Sequence, residues 1–286
     1  MTINDALEEG TETLKSWNID EARANVEIFL SDMTGLKRTE LKVKKDLEIT
    51  DPQIKKFEDF LKKRTMGMPL QYILGEVQFF GCTLAVNKHV LIPRPETELL
   101  VEKVLKDIEK SDVKQVRIYE AGTGSGCIAI ALGKELSSMN IDFEITSIDI
   151  SEKAIDTARK NLKSNNLDEG KINFIIKDFL SLEEIADIDY LISNPPYIAL
   201  NEYEELDDDV KDFEPRISLT DENDGLTFYR KIAEIIASSQ DNFKTFCEIG
   251  FGQKDKIESI LIEKKVTGVN FFKDYNGIDR ILEISQ

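Results

Sequence analysis

The chain has 286 residues, of which 41% are apolar, so it is long enough for two domains with a sizeable core. Its formal net charge of −18 argues against a protein that wraps DNA or RNA unaided, because phosphate contacts require clustered lysine and arginine. No apolar run approaches the roughly 20 residues that cross a bilayer, so we expect no membrane association.

The cysteine and histidine content limits which metal sites, disulfides and catalytic triads the chain can form. Cys82, Cys127 and Cys247 lie far apart and match neither a secreted disulfide framework nor zinc-ligand spacing, so we expect no metal. The acidic start of the chain lacks the pattern of a signal peptide, and we expect a cytoplasmic protein. The single histidine, His89, falls in a predicted hairpin turn and is expected to be solvated, which disfavours a catalytic triad.

The first 75 residues predict a small helical bundle. Apolar residues recur at helical spacing, as in Ala22, Val26, Phe29 and Met33. The candidate caps and helix boundaries are Thr2 or Asn4, Asp20, Gly35 and Asp51-Pro52. We expect residues 1–75 to form a domain that recognises the substrate.

From residue 76 the pattern becomes β-like. Apolar runs at 77–81 and 83–86 predict a β-hairpin, and we expect residues 76–95 to join two domains. The segment Pro93-Arg94-Pro95-Glu96-Thr97-Glu98 follows, and Thr97 or Pro95 can begin the next helix.

Residues 96–286 alternate between predicted strands and helices. The strands are predicted at 116–120, 144–150, 172–176, 189–193, 245–249, 269–273 and 280–284. The helices are predicted at 126–138, 152–165, 225–239 and 253–264. This alternation predicts an α/β fold with a mostly parallel, Rossmann-like sheet covered on both faces. Ligands in such folds bind beyond the carboxyl ends of the strands.

A glycine-rich loop follows the first strand of this sheet. Gly122-Thr123-Gly124-Ser125-Gly126 permits a sharp turn and lets a ligand approach the backbone, but its spacing departs from the dinucleotide pattern G-x-G-x-x-G. The next strand ends in Asp149, whose carboxylate can bind both hydroxyls of a ribose. The alternative role for Asp149 is a helix N-cap, which Ser151 already fills well.

The charge at the tip of the first strand indicates the kind of ligand. Glu120 would repel a pyrophosphate and attract the amino and sulfonium groups of S-adenosylmethionine, which favours a methyl donor over NAD. After the third strand, Asp178 can accept a hydrogen bond from an adenine amino group while Phe179 lies against the ring. A position in the core is an equal alternative for Phe179.

The tetrapeptide Asn194-Pro195-Pro196-Tyr197 follows a short apolar strand. Both prolines fix φ and lack an N–H, and the residue before each proline is pushed to extended backbone. The segment therefore predicts a rigid set of outward-facing acceptors that can hold a planar –NH2 group by both hydrogens. An ordinary strand-to-loop turn is the alternative.

Together these motifs resemble the HemK/PrmC family of glutamine methyltransferases. The resemblance runs from about residue 67 to residue 280, and its most specific part is the sequence Leu-Ile-Pro-Arg-Pro-Glu-Thr-Glu at 91–98. The family more often has aspartate where this chain has Glu120, and a Gly-Gly pair is frequent where this chain has residues 220–225. Asn-Pro-Pro-Tyr alone is shared with DNA adenine and cytosine amino-methyltransferases.

The resemblance implies a class I methyltransferase fold with S-adenosylmethionine as cofactor. The implied reaction is methylation of the side-chain amide nitrogen of the glutamine in the Gly-Gly-Gln motif of class I peptide-chain release factors. These release factors are the expected partners, and we expect a monomer without direct nucleic-acid binding. The predicted cofactor site comprises Glu120, Gly122, Thr123, Gly124, Ser125, Gly126, Asp149, Asp178, Phe179 and Asn194.

The predicted catalytic and substrate site is the tetrapeptide. We expect Asn194 Oδ1 and the Pro195 carbonyl to accept the two N–H groups of the substrate amide, with Pro196 stiffening the segment and Tyr197 packing over the amide or the methyl group. Arg94 and Glu98 either shape the floor of the substrate channel or form an ion pair at a helix start.

Two other functions stay open from the sequence. A DNA amino-methyltransferase would need a basic target-recognition segment and base flipping, and a non-catalytic module that binds S-adenosylmethionine would have no need of the tetrapeptide. The acidic run at 202–209 predicts a solvated loop that can act as a lid rather than a metal site. Residues 221–225 resemble a calcium loop only superficially.

Overall fold

The computed structural model describes residues 1–285, which divide into two compact units. The first unit comprises Met1–Gly75 together with Asp207–Phe213, and the second comprises the rest of the described chain. Within residues 1–285, none of the helices has the length and apolarity required to span a bilayer.

The first unit is a helical bundle. Its helices are α1 (Ile3–Ser16), α2 (Ala22–Thr34), α3 (Arg38–Val43), α4 (Asp51–Thr65) and α5 (Leu70–Leu74). Three phenylalanine side chains lie in its core, and the rings of Phe29 and Phe60 stack with their centroids 4.1 Å apart. The apolar stripes predicted from the sequence therefore form the interior of this unit.

The helix boundaries in this unit mostly follow the predicted signals. Thr2 caps α1: its hydroxyl accepts from the Asp5 N–H at 3.1 Å, and its own N–H donates to Asp5 at 2.8 Å. Gly35 ends α2 with a φ of 69°. Asp20 does not cap α2, because the residue at the cap position is Glu21, which makes no side-chain capping bond.

The second unit contains a two-stranded hairpin and a seven-stranded sheet. The hairpin consists of β1 (Glu76–Phe79) and β2 (Cys82–Ala85). The sheet strands are β3 (Gln115–Ala121), β4 (Asp142–Asp149), β5 (Ile172–Ile176), β6 (Tyr190–Ser193), β7 (Lys244–Glu248), β8 (Val269–Lys273) and β9 (Asp279–Ser285). Their order is β5-β4-β3-β6-β7-β9-β8. Among these strands of the described residues, β9 runs in the opposite direction to the other six. The predicted mostly parallel α/β sheet is thus confirmed.

The helices of the second unit cover both faces of the sheet. They are α6 (Pro95–Lys110), α7 (Cys127–Ser138), α8 (Glu152–Ser164), α9 (Leu200–Tyr203), α11 (Thr227–Ser238) and α12 (Lys254–Glu263), with α10 (Asp208–Lys211) assigned to the first unit. Successive strand residues enter different cores: Leu191 packs with α11 and α12, whereas Ile192 packs with α6 and α7. This alternation follows from the two-residue period of a strand.

The hairpin packs within the second unit rather than serving only as a connection. Asn161 of α8 accepts from the Ala85 N–H at 2.7 Å and donates to the Ala85 carbonyl at 3.0 Å. Phe79 and Leu84 are buried in the same core as α6, α7 and α8. The hairpin is therefore held to the sheet domain by hydrogen bonds from the Asn161 side chain to its backbone and by apolar contacts.

The parallel register brings four strand ends to one edge. Ala121 of β3 pairs with Ile148 of β4 on one side and with Ser193 of β6 on the other, and Ser193 pairs with Cys247 of β7. The segments that follow these residues therefore lie next to one another at the carboxyl edge of the sheet.

Candidate active site

A cavity enclosing about 970 Å³ of empty space, part of it open to solvent, is lined by segments from this carboxyl edge. It gathers most of the residues predicted for the site. These are Arg94, Gly122, Thr123, Gly124, Ser125, Asp149, Asp178, Phe179, Asn194, Pro195 and Pro196. Four predicted residues, Glu98, Glu120, Gly126 and Tyr197, lie outside its lining.

The glycine loop lies directly beside the tetrapeptide. Gly122 has a φ of 90°, and a Cβ atom placed on it would lie 3.6 Å from the backbone oxygen of Asn194. The N–H groups of Gly122 and Thr123 both donate to the Ile148 carbonyl, at 2.9 and 3.0 Å. Gly126 begins α7 with a φ of 82°, and a Cβ there would lie 3.0 Å from the side chain of Ala158, which places it against α8 rather than in the cavity. The loop therefore presents backbone, not side chains, beside the tetrapeptide.

Asp149 braces the glycine loop. Its Oδ2 accepts from the Gly124 N–H at 2.9 Å, and its Oδ1 accepts from the Ser151 N–H at 2.8 Å. Burial raises the pKa of this carboxyl group, and the hydrogen bonds from the backbone oppose that effect. Ser151 is the N-cap of α8, so Asp149 does not take that role. A carboxylate has about four acceptor positions, so Asp149 keeps capacity for ribose hydroxyls.

Glu120 is buried, with 1% of its surface exposed. Ser147 Oγ donates to Glu120 Oε2 at 2.6 Å, and Ser147 in turn lies 2.6 Å from Thr123 Oγ1. Burial raises the pKa of Glu120 to about 8. Within residues 1–285, Oε1 of Glu120 finds no hydrogen-bond partner. A buried carboxylate oxygen without a partner fits a ligand that carries a positive charge, as S-adenosylmethionine does.

Asp178 and Phe179 line the cavity through the turn after β5. Asp178 accepts from the Leu180 N–H at 2.9 Å and caps the short 3-10 turn Phe179–Ser181. Phe179 is 3% exposed and its ring stacks on Phe228, with the centroids 6.0 Å apart. Phe179 is thus a core residue that also lines the cavity, and its predicted contact with an adenine ring stays a prediction.

The tetrapeptide is held at its first residue by two neighbouring segments. Ser193, just before it, donates to the Ala121 carbonyl at 2.8 Å. The Nδ2 of Asn194 donates to Thr97 Oγ1 at 3.0 Å. Because Nδ2 is engaged, Oδ1 is the amide atom that Asn194 offers as an acceptor. This orientation is compatible with the predicted role of Oδ1, which stays a prediction.

Tyr197 is oriented differently from the prediction. Its hydroxyl donates to Glu248 Oε1 at 3.2 Å, and its carbonyl accepts from Gln253 Nε2 at 2.7 Å. Burial, together with the nearby Glu248 charge, raises the pKa of the Tyr197 hydroxyl well above its usual value. The ring is therefore anchored behind the tetrapeptide and is absent from the cavity lining, whereas we predicted that it packs over the substrate amide or the methyl group.

Two residues of the site were missed from the sequence. Thr97 Oγ1 donates to Glu248 Oε2 at 2.7 Å, and each of these residues is 1% exposed. Burial raises the pKa of Glu248, while the hydrogen bonds from Thr97 and Tyr197 lower it. The available signal was that Glu248 ends an apolar strand, in the same way as Asp149 does.

Arg94 and Glu98 do not pair with each other. Arg94 lines the cavity and forms an ion pair with Glu214, whose other oxygen accepts from the Ile92 N–H at 3.1 Å. Glu98 accepts from the Phe80 N–H at 2.6 Å and so fastens α6 to the hairpin turn. The predicted ion pair between Arg94 and Glu98 is therefore wrong, and the acid that pairs with Arg94 is Glu214.

His89, expected to be solvated, is half-buried and lines the cavity. Burial and the charges of Lys153 and Lys88 lower the pKa of His89. In the part of the chain described, no group of three or more histidine, cysteine, aspartate or glutamate side chains is arranged to hold a metal ion.

Comparison with known sequences assigns both parts of the chain. Residues 5–75 match the family described as the PrmC N-terminal domain, and residues 95–207 match the methyltransferase small domain. The chain is 39% identical to a release factor glutamine methyltransferase of Flavobacterium psychrophilum, over 90% of each chain. It is 34% identical to that of Clostridium acetobutylicum, over 99% of this chain and 98% of the relative.

Among solved structures, the protein-(glutamine-N5) methyltransferase (release factor-specific) of Alicyclobacillus acidocaldarius is 24% identical, with a TM-score of 0.39. That likeness covers 68% of this chain and 94% of the other.

Proposed function

The chain belongs to the release factor glutamine methyltransferase family, and we propose that it methylates the side-chain amide nitrogen of a release-factor glutamine. The methyl donor is S-adenosylmethionine, and the substrate is the Gly-Gly-Gln glutamine of a class I release factor. The observation that supports this reaction best is the contact of two motifs: the Cβ position of Gly122 lies 3.6 Å from the Asn194 carbonyl oxygen. A methyl donor bound at the glycine loop would lie next to acceptors for an –NH2 group.

The cofactor would be held by residues at the tips of β3 and β4. When bound, S-adenosylmethionine supplies an electrophilic methyl group on a sulfonium centre. Asp149 would accept from the ribose hydroxyls, and Glu120 would supply negative charge for the amino end of the ligand. Residues 122–126 let the ligand lie against backbone, and Asp178 and Phe179 would bound the adenine.

The chain's contribution to the reaction is to orient a weak nucleophile. The lone pair of an amide nitrogen is delocalised into its carbonyl, so the nitrogen must be made pyramidal and aimed. Asn194 Oδ1 and the Pro195 carbonyl would accept its two N–H groups. As positive charge develops on the nitrogen, both acceptors bind those N–H groups more strongly, and this favours the transition state over the ground state. The surplus proton then leaves the nitrogen, and no general base is needed beforehand.

The test of the proposed function uses purified protein, S-adenosylmethionine with a labelled methyl group, and a recombinant class I release factor. We expect label in the release factor, and mass spectrometry should place it on the Gly-Gly-Gln glutamine. A release factor with alanine in place of that glutamine should stay unlabelled. Label in duplex DNA would contradict the proposal and favour the alternative amino-methyltransferase. Equal labelling of the alanine variant would also contradict it, because the methyl group would then lie on another residue of the release factor.

Cofactor affinity should depend on pH through Glu120. Its pKa is raised to about 8 by burial, so the carboxyl group is largely protonated at pH 6. A cationic ligand favours the ionised form, so binding below pH 8 must release a proton. The ratio of the wild-type affinity to that of Glu120→Gln should therefore rise with pH, by at most about tenfold per unit, and level off above pH 8. Isothermal titration calorimetry between pH 6 and pH 9, in buffers of different ionisation enthalpy, measures the affinity and the released proton.

The matched control is Glu120→Gln, which keeps the volume and hydrogen-bonding capacity of the side chain but cannot ionise. At pH 8 this variant should bind S-adenosylmethionine more weakly than the wild type does. Any pH dependence that remains in the variant's affinity reports the titration of the ligand's own amino group. Identical pH dependence in the two proteins would show that Glu120 does not respond to the ligand.

A further inference from the structure

Asn194 is the first of three polar side chains connected in a row. Its Nδ2 donates to Thr97 Oγ1 at 3.0 Å, and Thr97 Oγ1 donates to Glu248 Oε2 at 2.7 Å. These residues come from three segments: the end of β6, the first turn of α6, and the last position of β7. Thr97 and Glu248 are each 1% exposed, so water does not compete for either contact.

In this row of hydrogen bonds, from Asn194 through Thr97 to Glu248, the available protons determine which group donates and which accepts. A hydroxyl has a single proton, and an ionised carboxylate can only accept. Thr97 therefore gives its proton to Glu248 and has only lone pairs left for Asn194. Asn194 can meet those lone pairs with Nδ2 but not with Oδ1. In the flipped orientation two acceptor oxygens would face each other without a hydrogen between them.

Glu248 also connects to the other end of the tetrapeptide. Its second oxygen, Oε1, accepts from the Tyr197 hydroxyl at 3.2 Å. Its backbone carbonyl accepts from the Tyr229 hydroxyl at 2.8 Å, which fixes the position of the residue itself. Both carboxylate oxygens are thus acceptors for hydroxyl donors, as the direction of the row requires.

We propose that Thr97 and Glu248 are positioning residues that fix the amide orientation of Asn194, so that Oδ1 and not Nδ2 faces the substrate. The purpose of this orientation rests on the proposed function, because the –NH2 group of the substrate glutamine needs hydrogen-bond acceptors. The orientation itself is a property of the protein alone and can be measured without a substrate.

Thr97→Val removes both hydrogen bonds while nearly conserving shape. One neutral hydrogen bond changes the ratio of the two amide orientations by about tenfold. We therefore expect kcat to fall by at least about twofold, the value for two orientations that become equally populated, and by at most about tenfold. KM for the release factor and the affinity for S-adenosylmethionine should change less than twofold. Thr97→Ser restores the hydroxyl and should restore kcat.

A matched control exists on β7. Thr245 is fully buried, and its hydroxyl has no hydrogen-bond partner within the described residues. Thr245→Val therefore makes the same chemical change in the core of the same unit without touching the row. It should keep the wild-type kcat.

The second readout is the side-chain amide of Asn194 in ¹⁵N-labelled protein, assigned by its disappearance in Asn194→Ala. We expect its Nδ2 protons to shift and exchange faster with solvent in Thr97→Val but not in Thr245→Val. Should Thr97→Val fail to fold, Thr97→Ala gives the same test, because it also removes the hydroxyl and both of its hydrogen bonds.

Wild-type kcat in a folded Thr97→Val or Thr97→Ala protein, or an unchanged Asn194 amide signal in that protein, would overturn this proposal. Failure of the wild-type protein to label a release factor would instead overturn the proposed function. The amide signal would still decide the orientation of Asn194.

Discussion

Replacing Asn194 with alanine is expected to lower kcat for glutamine methylation by about 10² to 10³. The variant removes one of two acceptors that strengthen as charge develops on the substrate nitrogen, and loss of one such group in a preorganised site has an effect of this size. The Thr97 hydroxyl that now accepts from Asn194 Nδ2 keeps its bond to Glu248, so the fold around the cavity should persist. Single-turnover labelling of a release factor measures the rate, and calorimetry measures cofactor affinity.

The control for this variant is Asn201→Ala. Asn201 is exposed on α9, four residues beyond the tetrapeptide, and its replacement should leave the rate unchanged. Cofactor affinity should stay within a few-fold of wild type in both variants. Methylation by Asn194→Ala at close to the wild-type rate would remove Asn194 from the reaction.

Much of the sheet was predictable because its strands are continuous apolar runs bounded by turn residues. Ile172–Ile176 and Val269–Lys273 agree with the prediction to the residue. The short helices Arg38–Val43 and Leu70–Leu74 were missed, because six and five residues complete too few turns to give a periodic pattern. The acidic run at 202–209 is a mostly exposed loop at its centre, as expected, but its two ends belong to the short helices α9 and α10, which were missed for the same reason.

The parts of the site that are continuous sequence motifs could be predicted. The parts that depend on contacts between residues far apart in the sequence could not. The glycine loop and the tetrapeptide are continuous motifs, and both line the cavity. Thr97 and Glu248 were missed because their contacts join positions separated by 97 and 151 residues. The same limit applies to Tyr197, whose direction is set by Glu248 and Gln253 from another strand and helix.

The loop that departs from the family pattern is shaped by its own residues. Asp221 accepts from the N–H groups of Asn223, Gly225 and Thr227, so its oxygens hold backbone rather than a calcium ion. A Cβ on Gly225 would lie 2.2 Å from the Tyr197 carbonyl oxygen. A side chain at position 225 would therefore clash with the backbone of Tyr197, at the point where this loop meets the tetrapeptide.

Removing the Asp149 carboxylate should weaken S-adenosylmethionine binding by about 100-fold. Asp149→Ala leaves the N–H groups of Gly124 and Ser151 without their acceptor, so the glycine loop loses its brace. It also removes the proposed partner of the ribose hydroxyls. A hydrogen bond to a charged group contributes about 1.5–3 kcal/mol, and the loss of one or two of them corresponds to roughly this change in affinity. Calorimetry with S-adenosylmethionine at fixed pH measures the dissociation constant.

Asp156→Asn is the matched control, because Asp156 is exposed on α8 and its replacement removes the same charge from the same region. Its affinity should equal that of the wild type within twofold. With saturating cofactor, Asp149→Ala should recover most of its kcat, since Asn194 and Pro195 are untouched. If affinity is unchanged and kcat alone falls, then Asp149 acts on the tetrapeptide through the loop and does not bind the ribose.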